Sequence, residues 1–187
     1  MKKALVITLP ILVVIVGAIL LRQSDNEAAP SHSSETKDNV QTDNTRKPVS
    51  SITHGHGLAL NEDGKVYIAT HHGLLELESD KDLFQVGTAT DDYMGFSPHP
   101  TDSKIFFSSG HPSAGGNIGF QKSEDGGLTW KKVSSGLNGP VDFHAMTISP
   151  ANPNLVYGSY QGAIQRSTDQ GKNWERIPVN FQIINFA

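Results

Sequence analysis

The chain predicts an all-β fold built from repeats, and three observations carry that expectation. Short runs rich in β-branched and aromatic residues, at 58–60, 66–70, 105–109, 146–148 and 155–160, alternate with clusters of Gly, Pro, Asn and Asp. No segment after the N-terminal apolar run keeps a helical period. The strand pairs also recur: 94–109 aligns with 146–159 once a gap is allowed, and 58–70 is a more degenerate copy. A period of about 40 residues marks architectures whose units stack to share a continuous core.

The N-terminal elements come first. Lys2 and Lys3 precede an apolar run over 4–21. As a helix rising about 1.5 Å per residue, that run reaches roughly 27 Å, close to a bilayer core of about 30 Å. Residues 1–21 therefore read as a hydrophobic helix that is either a membrane anchor or a signal peptide. The best small-residue cleavage candidate, Ala28 and Ala29, is set between Glu27 and Pro30, which favours the anchor. Lysines on the short side place the remainder outside the cytoplasm, tethered to the cell membrane or secreted after cleavage.

Residues 22–50 hold hardly any large apolar side chain and read as a flexible polar linker, because such a segment cannot offset its ordering entropy. The chain has no cysteine, which excludes disulfides and thiolate metal sites. From Ser51 onward there are 14 Asp and Glu against 9 Lys and Arg. That surface offers no basic field for phosphates, so no nucleic-acid partner is expected.

The second and third repeats continue into a shared motif. Ser123, Asp125, Gly127 and Trp130 have the spacing Ser-x-Asp-x-Gly-x-x-Trp, and Ser167, Asp169, Gly171 and Trp174 repeat it 44 residues later. A short Asp can bond amides of its own turn, Gly permits positive φ, and Trp offers a large apolar face. The motif resembles the Asp-box, or BNR repeat, of sialidases, sortilin-like receptors, xyloglucan-cleaving glycosidases and photosystem II assembly factors.

The resemblance implies a β-propeller in which each box closes the hairpin between third and fourth strands, away from the functional face. It gives the box residues a structural role and Asp125 and Asp169 no catalytic one. Three four-stranded blades follow, at about 54–88, 92–135 and 142–178. Closed propellers hold roughly 4 to 8 blades, and 183–187 looks like the start of another first strand. The expectation over 51–187 is thus an incomplete propeller cut in mid-blade.

Histidines mark the candidate site. Aligned first strands put His56, Asp92 and His144 at equivalent positions, and aligned second strands do the same for His72, His111 and Gln161. Strand one starts and strand two ends on the same face of an up-and-down blade, so both sets should crowd one mouth of the central channel. His54 and His71 could join them, whereas His99 belongs on the opposite face. Imidazole and carboxylate suit a divalent transition metal. A polar pocket for sugar or peptide, and loop ends that merely satisfy backbone groups, are the alternatives.

A sialidase-like site needs clustered arginines to hold a carboxylate. Arg22 and Arg46 fall in the linker, and Arg166 and Arg176 flank the second box, which argues against sialidase activity. A glycosidase needs two facing carboxylates, for which Asp91, Asp92 and Asp142 are the candidates at the mouth. The leading expectation is a surface-tethered propeller that binds a carbohydrate or protein at its histidine-rich mouth. A glycosyl hydrolase of the Asp-box class, truncated here, is second, and a fragment without function is third.

Overall fold

In the computed structural model, residues 46–181 and 183–186 are described. The hydrophobic segment expected over 1–21, and most of the linker expected over 22–50, lie outside them. Among the described residues there is no helix. The strands β1 (Pro48–Val49), β2 (Gly55–Leu60), β3 (Val66–Thr70), β4 (Gly73–Leu77) and β5 (Leu83–Val86) form the first sheet. The second holds β6 (Asp92–His99), β7 (Asp102–His111), β8 (Phe120–Ser123) and β9 (Lys131–Ser134). The third holds β10 (Ala145–Ile148), β11 (Val156–Tyr160), β12 (Ala163–Ser167) and β13 (Glu175–Pro178). Every pairing is antiparallel between neighbours in sequence apart from β1 on β5, so the expected three up-and-down blades are present.

Residues 46–50 belong to the first blade and not to the linker. Pro48 pairs with Phe84 and Val49 with Leu83, and the Gln85 amide donates to the Lys47 carbonyl at 2.9 Å. Arg46 reaches Glu76 at 3.1 Å and Glu78 at 3.2 Å, and its guanidinium lies 4.4 Å from the Phe84 ring centroid. An outermost strand leaves a row of unpaired backbone groups. The polar composition of 46–50 hid their use in covering that edge.

The cores lie at the seams between blades. Tyr67, Ala69, Leu74 and Val86 of the first blade pack with Tyr93 and Phe106 of the second. At the next seam, Phe107 and Phe120 pack with Val141, Phe143, Met146, Ile148 and Val156. Phe106 and Phe107 are adjacent and both fully buried, because alternate residues of β7 point into opposite seams. Burying each such ring stabilises the fold by roughly 1.5–3 kcal/mol.

The two Ser-x-Asp-x-Gly-x-x-Trp turns are near duplicates. Gly127 N–H donates to Ser123 Oγ at 2.8 Å, and Gly171 N–H to Ser167 Oγ at 2.8 Å. Each serine hydroxyl donates to its own turn's aspartate at 2.8 Å. Each aspartate also accepts the amide four residues on, from Thr129 or Asn173, at 2.9 Å.

These turns join blades as well as strands. Gly171 has φ 82°, and a Cβ there would lie 2.1 Å from the Phe120 ring of the preceding blade. Trp174 Nε1 donates to Ser134 Oγ of the second blade and to the Gly171 carbonyl, each at 2.9 Å. Gly127 approaches Leu74 and Val86 of the first blade in the same way.

Candidate functional site

The two ends of a blade are fixed by strand register. Ser123, which opens the first turn motif, pairs with Phe106 in the first half of β7, whereas Asp92 pairs with His111 at its far end. The Ser-x-Asp turns therefore occupy one end of the blades and the histidines the other. His99 lies at the turn end, where its Nδ1 accepts the Thr101 amide at 3.3 Å.

At the histidine end the structure shows two clusters, each spanning a seam. The first is centred on Asp92. His71 Nδ1 lies 2.6 Å from Asp92 Oδ2, and His56 Nε2 lies 3.2 Å from Asp92 Oδ1. The two imidazoles meet directly, His56 Nε2 to His71 Nδ1 at 3.2 Å. His54 Nδ1 contacts the outer nitrogen of His71 at 3.2 Å, and the His54 and His56 rings stack with centroids 4.7 Å apart.

The second cluster is centred on Asp142, which is only 5% exposed. His144 Nε2 lies 2.7 Å and His111 Nε2 3.1 Å from Asp142 Oδ2. His111 Nδ1 lies 2.7 Å from the Gly116 carbonyl. A carbonyl oxygen can only accept, so Nδ1 carries a proton and Nε2 is the ring atom turned toward the carboxylate.

In both clusters one carboxylate oxygen is left over. Asp92 Oδ1 and Asp142 Oδ1 are buried and accept no hydrogen bond. The 3.2 Å approach of His56 to Asp92 Oδ1 is a close contact without hydrogen-bond geometry. Leaving such an oxygen unsatisfied costs about 1–3 kcal/mol or more for a charged group. Burial holds the His56 imidazole below its ordinary pKa; Asp92 opposes that shift, while His71, His54 and His144 reinforce it. The neutral ring, with a free lone pair, is thereby favoured.

Both clusters border one opening. A cavity of about 640 Å³ is lined by the first strands of all three blades, from His56 and Leu58 through Met94 and Phe96 to His144 and Met146. His56 and His144 bring one imidazole of each cluster to its lining, and the exposed wall is mostly polar, with Leu58 and Phe96 among the apolar side chains present. Such a mixture suits a ligand with both polar groups and apolar faces.

Of the residues singled out from sequence, His56, Asp92, His111 and His144 reach the clusters. His72 does not. Thr70 pairs with Gly55, so Ala69-Thr70-His71 corresponds to Ser109-Gly110-His111, and the equivalent of His111 is His71. His72 is one residue further on, in the turn before Gly73, where it faces a separate pocket beside Ser51, Ile52 and Thr90. Gln161 joins neither cluster; it has φ 49° in the β11–β12 turn. Asp91 accepts the Ser113 amide at 3.0 Å, a contact between two loops. The sequence offers Asp142 only as a possible hydrolytic carboxylate, because its contact with His111 spans 31 residues and leaves no local signal.

No protein-family model matches the chain, and no curated protein matches it. Among solved structures, an ancestral GH74 enzyme is similar with a TM-score of 0.53 at 13% identity, over 71% of this chain and 19% of that one. The GH74 enzyme of Niastella koreensis gives 0.49 at 20% identity, over 66% and 22%. YCF48 bound to D1 peptide gives 0.45 at 14%, over 70% and 44%. The chain thus spans about a fifth of the length of the GH74 structures it matches. The first of these likenesses shows the fold, a β-propeller, and nothing of activity.

Proposed function

We propose that the chain is an extracytoplasmic, membrane-tethered propeller of the Asp-box class that binds a carbohydrate or a protein segment at its histidine-rich mouth. The observation that carries this reading is the convergence of His54, His56, His71, Asp92, His111, Asp142 and His144 on one end of three blades, beside one cavity. Imidazoles and carboxylates offer donors and acceptors to hydroxyls and amides, while Leu58 and Phe96 offer apolar surface to sugar or side-chain faces. The duplicated Ser-x-Asp-x-Gly turns support the Asp-box assignment. The apolar run over 4–21 with Lys2 and Lys3 before it supports the tether.

Carbohydrate hydrolysis is the second reading, favoured by the presence of Asp92 and Asp142 in clusters at the same end. Each carboxylate is engaged by two histidines, which makes binding the better-supported role. The test is binding of soluble xyloglucan and of a pool of extended peptides to the full chain, compared with the His56→Ala/His144→Ala variant. Binding lost in the variant, with no release of reducing ends, is the expected result. Binding unchanged by the variant removes the mouth as the recognition surface, and release of reducing ends abolished by Asp92→Asn or Asp142→Asn favours the hydrolase.

A further inference from the structure

We infer that each of the two seams holds a divalent first-row transition metal ion, zinc being the first candidate, bound by His56, His71 and Asp92 at one seam and by His111, Asp142 and His144 at the other. The inference deepens the reading of the mouth as a binding surface, and rests on it for the ligand: metal at the rim would be what grips that ligand's oxygen atoms.

The geometry of the first cluster is hard to satisfy with protons alone. Two imidazole nitrogens and both Asp92 oxygens converge: His56 Nε2 and His71 Nδ1 are 3.2 Å apart, His56 is 3.2 Å from Oδ1, and His71 is 2.6 Å from Oδ2. If both nitrogens carry protons they oppose one another, and if neither does their lone pairs repel. If only one does, it cannot serve both the other imidazole and the carboxylate well. A cation between them takes a lone pair from every atom at once. Zinc–nitrogen bonds of about 2.0–2.1 Å in a tetrahedron put neighbouring ligand atoms roughly 3.3 Å apart, close to the 3.2 Å between His56 and both His71 and Asp92, while the 2.6 Å contact of His71 with Asp92 would have to open.

The second cluster makes the same case from different chemistry. The Gly116 carbonyl requires a proton on His111 Nδ1, which leaves Nε2 as the ring atom facing a carboxylate oxygen 3.1 Å away. Either a proton on Nε2 or a metal cation between the two atoms closes that contact, and the same carboxylate oxygen already lies 2.7 Å from His144 Nε2, so a cation can take all three atoms at once. Asp142 is almost completely buried, and its Oδ1 has no hydrogen-bond partner, as is true of Asp92 Oδ1 in the first cluster. The potential ligand atoms in each group lie within 4.8 Å of one another.

Supporting contacts resemble those around metal-bound imidazoles, whose second nitrogen is held by a neighbour. Gly116 holds His111, and His54 holds His71 from behind. Nitrogen and carboxylate oxygen donors without thiolate suit zinc and its first-row neighbours better than magnesium or calcium, which prefer all-oxygen sites. Three protein ligands leave a position open for an oxygen of a sugar hydroxyl or a peptide carboxylate. His56 and His144 line the channel cavity, so both sites adjoin the space where such a ligand would lie.

The experiment is a zinc titration of the chelator-stripped full chain in detergent micelles, read by competition with a chromophoric chelator and repeated with cobalt for its visible absorption. Wild type should take up two equivalents. Asp92→Asn and Asp142→Asn should each lose one, with the far-ultraviolet circular dichroism unchanged, and the double variant should lose both. His54→Ala serves where an aspartate variant fails to fold: it should weaken zinc at the first seam and leave the second equivalent intact. Uptake of no zinc, of one equivalent, or of two that survive both aspartate substitutions overturns the inference. A chain that binds xyloglucan or peptide at the mouth yet takes up no metal overturns it while leaving the mouth itself standing. Two metals that each depend on their aspartate support it whether or not either probe binds.

Discussion

Asp92 and His111 are register partners on β6 and β7, yet their side chains serve different seams: Asp92 meets His71 and His56 of the first blade, and His111 meets Asp142 at the third. One blade thus contributes a carboxylate to one neighbour and an imidazole to the other. The arrangement repeats at each seam, because a blade's second strand ends where the next blade begins.

The first prediction separates His71 from His72. His71→Ala removes the imidazole that contacts Asp92, His56 and His54. It should weaken binding of whichever probe the mouth retains by about tenfold or more, equivalent to roughly 1.4 kcal/mol. His72→Ala should leave that affinity unchanged. Isothermal titration of the two variants side by side checks this.

The second prediction concerns the turn glycines. Gly171→Ala places a Cβ 2.1 Å from the Phe120 ring at φ 82°, so it combines overpacking with left-handed backbone. Overpacking alone costs typically about 1–3 kcal/mol. Gly126→Ala, at φ 75° with nothing within 4 Å, should cost only the backbone share of about 1–2 kcal/mol. Denaturant unfolding should rank Gly171→Ala as clearly the more damaging.

The third prediction tests the serine that opens a turn. Ser167 is 1% exposed, and its hydroxyl accepts the Gly171 amide while donating to Asp169. Ser167→Ala strands that amide in the core and should destabilise the chain by about 1–3 kcal/mol. Ser123→Ala should behave alike, since Gly127 and Asp125 reproduce the contacts.

The fourth prediction is a pH dependence. The Asn173 backbone amide, then the Asn173 side chain and the Ser167 hydroxyl, lower the Asp169 pKa from 3.8 to about 2. The folded value lies below the unfolded one, so the contribution of this carboxylate is complete above about pH 4 and is lost as pH falls toward 2. Asp169→Asn should flatten that part of the stability profile between pH 4 and 2, as followed by urea unfolding at several pH values.

Strand positions were legible where alternation and turn residues act locally: 66–70 emerged as β3 with the same ends, whereas the start of the first blade at β1 was not. The turn motifs were legible for the same reason, since every hydrogen bond inside them spans four residues or fewer. The site was legible only in part. Four of its members followed from repeat alignment, but His71 and His72 are adjacent, and only the pairing of Gly55 with Thr70, matching Tyr93 with Gly110, identifies His71 as the equivalent of His111. Pairings such as His111 with Asp142 depend on how adjacent blades pack, and neither residue carries a local mark of its partner.

The mouth itself is tested most directly by two-bond proton–nitrogen spectra of the imidazoles, recorded on the full chain in micelles as xyloglucan oligosaccharide or the extended peptides are added. Saturable shifts of His56, His71, His111 and His144, with His99 and His72 unmoved, are the predicted result. Saturable binding that leaves those four rings unmoved, or that shifts His99 instead, would contradict recognition at this end of the blades.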